Sequence, residues 1–227
     1  MSQVETTPTR QLSRMRLVYA RREALRYVSH LDMQMVWERT IRRAGLPLAY
    51  SQGFNPRPRL HMACALPLGF LSRCELVDLW LDLPAEPSET EMAALVAQIQ
   101  ASAPPGLEVQ RGEIVPLNLP ALQTQVQSSE YLAVPLDPLP SEALAQTVED
   151  LLAAETLPRE RRNKPYDLRL LIEALEVRPG AEKSLSLYMR LAAREGATGR
   201  PEEVLAALGL DPAAWRVERT ALLLAES

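Results

Sequence analysis

Apolar residues recur along this chain at two spacings, and the switches between them mark out its elements. Arg16-Leu-Val-Tyr-Ala20 reads as a strand. Ser29 then has the chemistry of a helix N-cap, with Asp32 three residues on. Met33, Val36, Trp37, Thr40, Ile41 and Ala44 follow at helical spacing and form one apolar stripe, while Arg39, Arg42 and Arg43 fall off it. Gly45 and Pro47 end the helix. Residues 61–67 and 75–83 read as strands. Ser88 and Glu91 open a second helix that buries Met92, Leu95, Val96 and Ile99, and Pro104-Pro-Gly106 stops it before a strand over 107–115.

The order β-α-β-β-α-β is the ferredoxin-like arrangement, and it then recurs. Residues 131–136 form a strand, and Ser141 starts a helix with Leu144, Val148, Leu151 and Leu152 on one face. Residues 166–177 and 184–192 read as Leu-rich strands. Pro201 and Gly209 bracket a last helix before a strand over 215–224. The expected fold is α+β with two tandem ferredoxin-like units, 14–117 and 130–227. A flexible tail, 1–13, precedes them and a connector, 118–129, joins them. No residue-level repeat links the halves, so the duplication rests on element order; one larger α+β domain is the other reading.

With 227 residues, 47% of them hydrophobic, the chain can bury a proper core. No apolar run is long enough to span a membrane, and the polar N-terminus does not resemble a secretory signal. Cys64 and Cys74 make neither a disulfide framework nor a metal-ligand set, so a reducing, cytoplasmic location is the default. No GxxxxGK[ST] or GxGxxG motif occurs, and two cysteines cannot supply the three that a radical-SAM cluster needs. Neither a cofactor nor a metal is expected.

Charge divides unevenly. Residues 1–60 hold 11 Arg, no Lys and four acidic residues, a balance of +7, against −11 for the remainder and −4 overall. A basic N-terminal surface and an anionic partner are therefore expected. Its centre is the run Tyr50-Ser-Gln-Gly-Phe-Asn-Pro-Arg-Pro-Arg59, a loop shaped by Gly and Pro. Phe54 belongs to no periodic face, so it and Tyr50 are candidates to stack on unpaired bases, with Arg39, Arg42, Arg43, Arg57 and Arg59 on phosphates. A solvated helix-to-strand loop is the plainer alternative. A smaller basic run, Arg159-Glu-Arg-Arg-Asn-Lys-Pro165, occupies the matching connection of the second half. His30, in the first helical turn, is a candidate general base, with a packing or capping role as its alternative.

Several motifs carry a resemblance: Arg26-Tyr-Val-Ser-His-Leu-Asp32, Arg42-Arg-Ala-Gly-Leu-Pro-Leu-Ala-Tyr-Ser-Gln-Gly-Phe-Asn-Pro56, Ala65-Leu-Pro-Leu-Gly69, Lys164-Pro-Tyr-Asp-Leu-Arg169 and Arg200-Pro-Glu-Glu-Val-Leu-Ala-Ala-Leu-Gly209. By these the chain resembles the bacterial radical-SAM-linked, or radical-SAM-associated, proteins of unknown function. In that family His is common where Asn55 stands. The resemblance implies a domain whose genes lie near those of a radical-SAM enzyme, an RNase E/G-type ribonuclease and ribosomal proteins. The expected function is a non-catalytic RNA-binding or substrate-presenting module for a separate radical-SAM enzyme. The alternatives are a metal-independent RNA-processing endonuclease, by analogy with tandem ferredoxin-like CRISPR enzymes, and a protein-binding scaffold.

Overall fold

The computed structural model describes residues 11–139, 141–179 and 185–225, and its chain divides into two compact units. The described part of the first runs to Ala65 and resumes over Glu75–Leu122. The second takes Leu66–Cys74 together with the chain from Gln123 onward. The fold is mixed α+β.

The first unit contains β1 (Gln11–Arg21), α1 (His30–Arg43), β2 (Leu60–Met62), β3 (Leu71–Leu83) from Glu75 onward, α2 (Glu89–Ser102) and β4 (Leu107–Val115). Its strands lie in the order β2-β3-β1-β4, with β2 antiparallel to β3 and β1 antiparallel to β4. Ser29 caps α1: its hydroxyl accepts from the Asp32 amide at 3.1 Å and donates to the Asp32 carboxylate at 2.7 Å. The α1 stripe of Met33, Trp37 and Ile41 then packs on Met15, Leu17 and Tyr19 of β1 and on Val77, Leu79 and Leu81 of β3. Trp37 meets Tyr19 edge-on with ring centroids 4.9 Å apart. α2 carries a complete Ser88–Glu91 capping box and lies close over β4. Gly112 permits that approach, since a Cβ there would come within 2.8 Å of Leu17 Cδ2 and 3.1 Å of Met92 Sδ.

A short turn, α3 (Leu122–Gln125), leads into the second unit. There follow β5 (Val126–Pro135), α4 (Ser141–Ala153), a hairpin of β6 (Pro158–Arg161) and β7 (Lys164–Asp167), β8 (Ile172–Pro179), β9 (Leu185–Arg194), β10 (Ala197–Thr198), α5 (Pro201–Ala207) and β11 (Trp215–Leu224). Strands β8, β9, β5 and β11 are successive antiparallel neighbours, and β10 adds a short antiparallel pair to β9. Within this unit Leu71 and Ser72, the opening residues of β3, pair parallel with β11 at Glu218↔Leu71 and Arg219↔Ser72, so its sheet is mixed. Leu144, Val148 and Leu151 of α4 share a core with Leu187, Met189 and Leu191 of β9 and with Val204 and Leu205 of α5. Leaving aside the β6–β7 hairpin and β10, both units run strand, helix, strand, strand, helix, strand. In both, the first and third strands are central.

The structure departs from the sequence reading where local chemistry overrides periodicity. The strand expected over 61–67 is only Leu60–Met62, because Pro67 has no amide for a ladder and Gly69 turns the chain at φ +84°. The strand expected over 166–177 is broken after Asp167. That carboxylate accepts from the amides of Leu157 at 2.8 Å and Arg169 at 2.9 Å, and a 3-10 turn at Arg169–Leu171 follows. The segment 118–129 contains α3 and the first residues of β5. Of the expected tail, residues 1–10 lie outside the described residues and Gln11–Ser13 open β1; Ser184 also lies outside them.

Candidate nucleic-acid interface

Between α1 and β2 the chain makes a hairpin anchored to β3. The Ala49 amide donates to Trp80 O at 2.7 Å, the Trp80 amide to Arg59 O at 3.1 Å, and the Arg59 amide to Ala49 O at 2.8 Å. Farther out, Ser51 N donates to Arg57 O at 2.8 Å and Arg57 N to Ser51 Oγ at 2.9 Å. This fixed stem presents a tip in which Gly53 has φ +148° and Phe54 is 100% exposed. Tyr50, on the stem, is 45% exposed.

The candidate residues fall into groups. Tyr50, Phe54 and Arg57 share the hairpin, and Arg57 is exposed with no ion pair among the described residues. Arg39 and Arg42 project to solvent from α1, likewise without an ion pair among the described residues. Arg43 is engaged: its Nε and Nη2 donate to Ser102 O at 3.1 and 2.8 Å, satisfying a carbonyl at the end of α2. Arg59 is engaged too, its guanidinium lying 4.9 Å from the centre of the Trp80 ring. Trp80 alternates along β3 with Leu79 and Leu81, which face α1, so Arg59 sits on the sheet face opposite the helix arginines. His30 is the first residue of α1 and is half-buried.

The expected basic N-terminal surface requires correction, because much of that charge lies inside. Arg14, Arg16 and Arg21 are 1%, 6% and 2% exposed. Arg14 and Arg16 stand two apart on β1 and both reach Asp78 of β3, which is fully buried. Arg16 grips the carboxylate with two donors, Nε at 2.8 Å and Nη2 at 3.0 Å. Arg14 donates Nε to Asp78 at 2.8 Å, Nη1 to Leu119 O at 2.6 Å and Nη2 to Pro120 O at 2.9 Å. Its guanidinium also lies 4.9 Å from the Trp80 ring centre. Arg21 donates to the carbonyls of Leu25 and Val28 at 3.0 and 2.7 Å. His61 meets Trp80 edge-on at 4.9 Å. Partial burial and the cations Arg14 and Arg59 lower the pKa of His61, with Asp78 opposing them.

The second basic run forms the β6–β7 hairpin, closed by the pair Arg161↔Lys164. Arg161 donates to both carboxylate oxygens of Glu203 and to Thr198 O, and its guanidinium lies 4.9 Å from the Tyr166 ring centre. In the sequence this run places four cations within residues 159–165. Its signal was the density of cations around Asn163, a turn-forming residue. Among the described residues no three His, Cys, Asp or Glu side chains gather to hold a metal, and no helix is long and apolar enough to cross a membrane.

Residues 14–201 match the protein family described as an uncharacterized protein conserved in bacteria (DUF2344). The chain belongs to that family. The description of DUF2344 carries no radical-SAM link, so that link rests on the motif resemblance alone. No curated protein matches the chain. Among solved structures, a chain of a Cbf5-Nop10-Gar1 complex matches at 10% identity and TM-score 0.46, covering 90% of this chain and 48% of its own. A chain of an H/ACA RNP bound to a substrate RNA containing 2′-deoxyuridine matches at 11% identity and TM-score 0.43, covering 90% and 47%. The family member thus spans about half the length of either solved chain.

Proposed function

We propose that this protein is a non-catalytic RNA-binding module, cytoplasmic, made of two duplicated ferredoxin-like units, 14–117 and 130–227. The observation that carries the reading is the full exposure of Phe54 at the tip of a hairpin whose stem is held by a backbone hydrogen-bond ladder. A large ring kept in water by a fixed scaffold loses little conformational entropy when a base stacks on it. Arg57 on the same hairpin supplies a cation for the neighbouring phosphate, and Tyr50 a second ring. Arg39 and Arg42 extend the cationic track along α1, while Arg43 and Arg59 support the surface through Ser102 O and Trp80. The motif resemblance adds a separate radical-SAM enzyme as the partner to which bound RNA is presented.

Fluorescence anisotropy with a labelled single-stranded RNA tests the reading. Phe54→Ala is expected to weaken binding by about 1–3 kcal/mol with the salt slope kept, because stacking is lost and no phosphate contact is. Arg57→Ala is expected to reduce the salt slope by roughly 0.7. Equal, weak binding by wild type and both variants at every salt concentration would exclude RNA binding here. Cleavage of the RNA that His30→Ala abolishes would convert the module into an endonuclease.

A further inference from the structure

In the second unit, the β6–β7 hairpin, the 3-10 turn after it, and the β9–β10 corner enclose an open cavity of about 830 Å³. Concave sites that hold small ligands span about 300 to 1,000 Å³, so this one can take a molecule rather than a lone ion. Its lining mixes two chemistries. Arg162, Lys164 and Arg200 contribute cations, and none of them is in an ion pair among the described residues. Pro165, Leu170 and Leu171 contribute apolar surface, and Leu170 is 73% exposed, a large apolar side chain left in water.

The acidic groups nearby are already committed. Asp167 lines the cavity, but its carboxylate accepts from two backbone amides. Glu203 is held by Arg161, and Glu173 faces Arg194 at 3.4 Å. Glu202 follows Arg200 in the chain; burial raises the pKa of its carboxyl, and the Arg200 and Arg161 cations oppose that shift. Arg162, Lys164 and Arg200 thus line one cavity with no ion-paired carboxylate among the described residues, and Asp167, the acidic residue of that lining, is held by backbone amides, in a chain whose overall charge is −4. Such a cluster in a concave wall concentrates anions. The hairpin holds its turn through Arg162 and Asn163 at φ +51° and +60°, and so fixes where the Arg162 side chain leaves the backbone.

We propose that this cavity binds a nucleotide, its phosphates on Arg162, Lys164 and Arg200 and its base against Pro165, Leu170 and Leu171. Polyanions without a base would satisfy the cations alone, and apolar ligands the apolar residues alone; a nucleotide uses both. The nucleotide is either a free nucleoside polyphosphate or the phosphorylated end of an RNA strand. The site shares no residue with the Phe54 hairpin.

Isothermal titration of the full chain separates these cases with three probes: ATP, inorganic tripolyphosphate and a short 5′-phosphorylated oligoribonucleotide. Saturable binding of ATP or the oligonucleotide is expected, weakened about tenfold by Lys164→Ala and by Arg200→Ala, since each removes a charge-assisted contact. Arg162→Gly is expected to do the same while fitting the left-handed φ. Leu170→Asp should weaken both nucleotide probes and leave tripolyphosphate unchanged. Tighter binding of ATP than of the oligonucleotide identifies a free nucleotide as the ligand, and the reverse order an RNA end. Tripolyphosphate binding as tightly as both would overturn the proposal, as would absence of binding or insensitivity to the cation variants. The Phe54→Ala protein keeps the cavity, so loss of RNA stacking and loss of nucleotide binding are read separately.

Discussion

The arginines of β1 and two cations of the β6–β7 hairpin, Arg162 and Lys164, are alike in sequence and opposite in use. Arg14 and Arg16 point into the first unit, where Asp78 and two backbone carbonyls absorb their donors. Arg162 and Lys164 point into open space, with no carboxylate paired to them among the described residues. The first set organises a protein interior and the second is available to a ligand. Charge density in a sequence reports neither outcome. What decides is whether a carboxylate stands opposite in the fold, and Asp78 lies more than sixty positions from its partners along the chain.

This contrast can be broken most forcefully at Asp78. Asp78→Asn leaves two buried guanidinium groups without their counter-charge, a defect of about 3–5 kcal/mol. Urea unfolding should report that loss, and the melting temperature should fall by roughly 10 °C, given about 2–4 °C per kcal/mol in a chain of this size. Lys164→Ala, treated identically, should change stability by less than about 0.5 kcal/mol. Equal sensitivity at the two sites would erase the distinction between structural and available cations.

A smaller effect is expected at His61, between the two uses: its side chain reaches solvent while partly covered, and it shares the Arg14, Arg59 and Trp80 surroundings. Its folded pKa lies below the ordinary 6.5, so the unfolded chain binds the proton first as pH falls. Stability tied to His61 is therefore complete above that value and declines as pH drops from 6.5 toward the lowered folded value. His61→Gln should flatten this part of the stability–pH curve, and an NMR titration should place the His61 midpoint below 6.5. The smallest change belongs to Arg39 and Arg42, whose replacement by Ala should leave stability within about 0.5 kcal/mol of wild type.

The sequence made the helices legible because their signals are local. Ser29, Asp32 and the stripe from Met33 to Ile41 sit within one stretch of chain, and the Ser88–Glu91 box does too. Strand limits were less legible. Nothing in Leu168-Arg-Leu-Leu171 announces a 3-10 turn, and the break depends on Asp167 reaching back to Leu157. A shaped loop at the candidate interface was legible from Gly53, Pro56 and Pro58, but its hydrogen-bonded stem was not. The separation of Arg59 from Arg39 and Arg42 was not, because it follows from the position of Trp80 on the far face of β3. The cavity of the second unit was hidden for a similar reason. Arg200 joins Arg162 and Lys164 only through the path of β9 and β10.

The Arg14 side chain also ties the timetable of synthesis to the first unit. Its guanidinium donates to carbonyls 105 and 106 residues downstream. A ribosome delivers the chain from its N-terminus at about 5–20 residues per second. The first strand therefore emerges with a charged group whose final acceptors do not yet exist outside the exit tunnel. For several seconds at those rates Arg14 must remain in water or hold a provisional partner, and β1 cannot reach its finished environment until Pro120 has emerged. Among the described strands of its unit, the first to be made is thus one of the last to be completed.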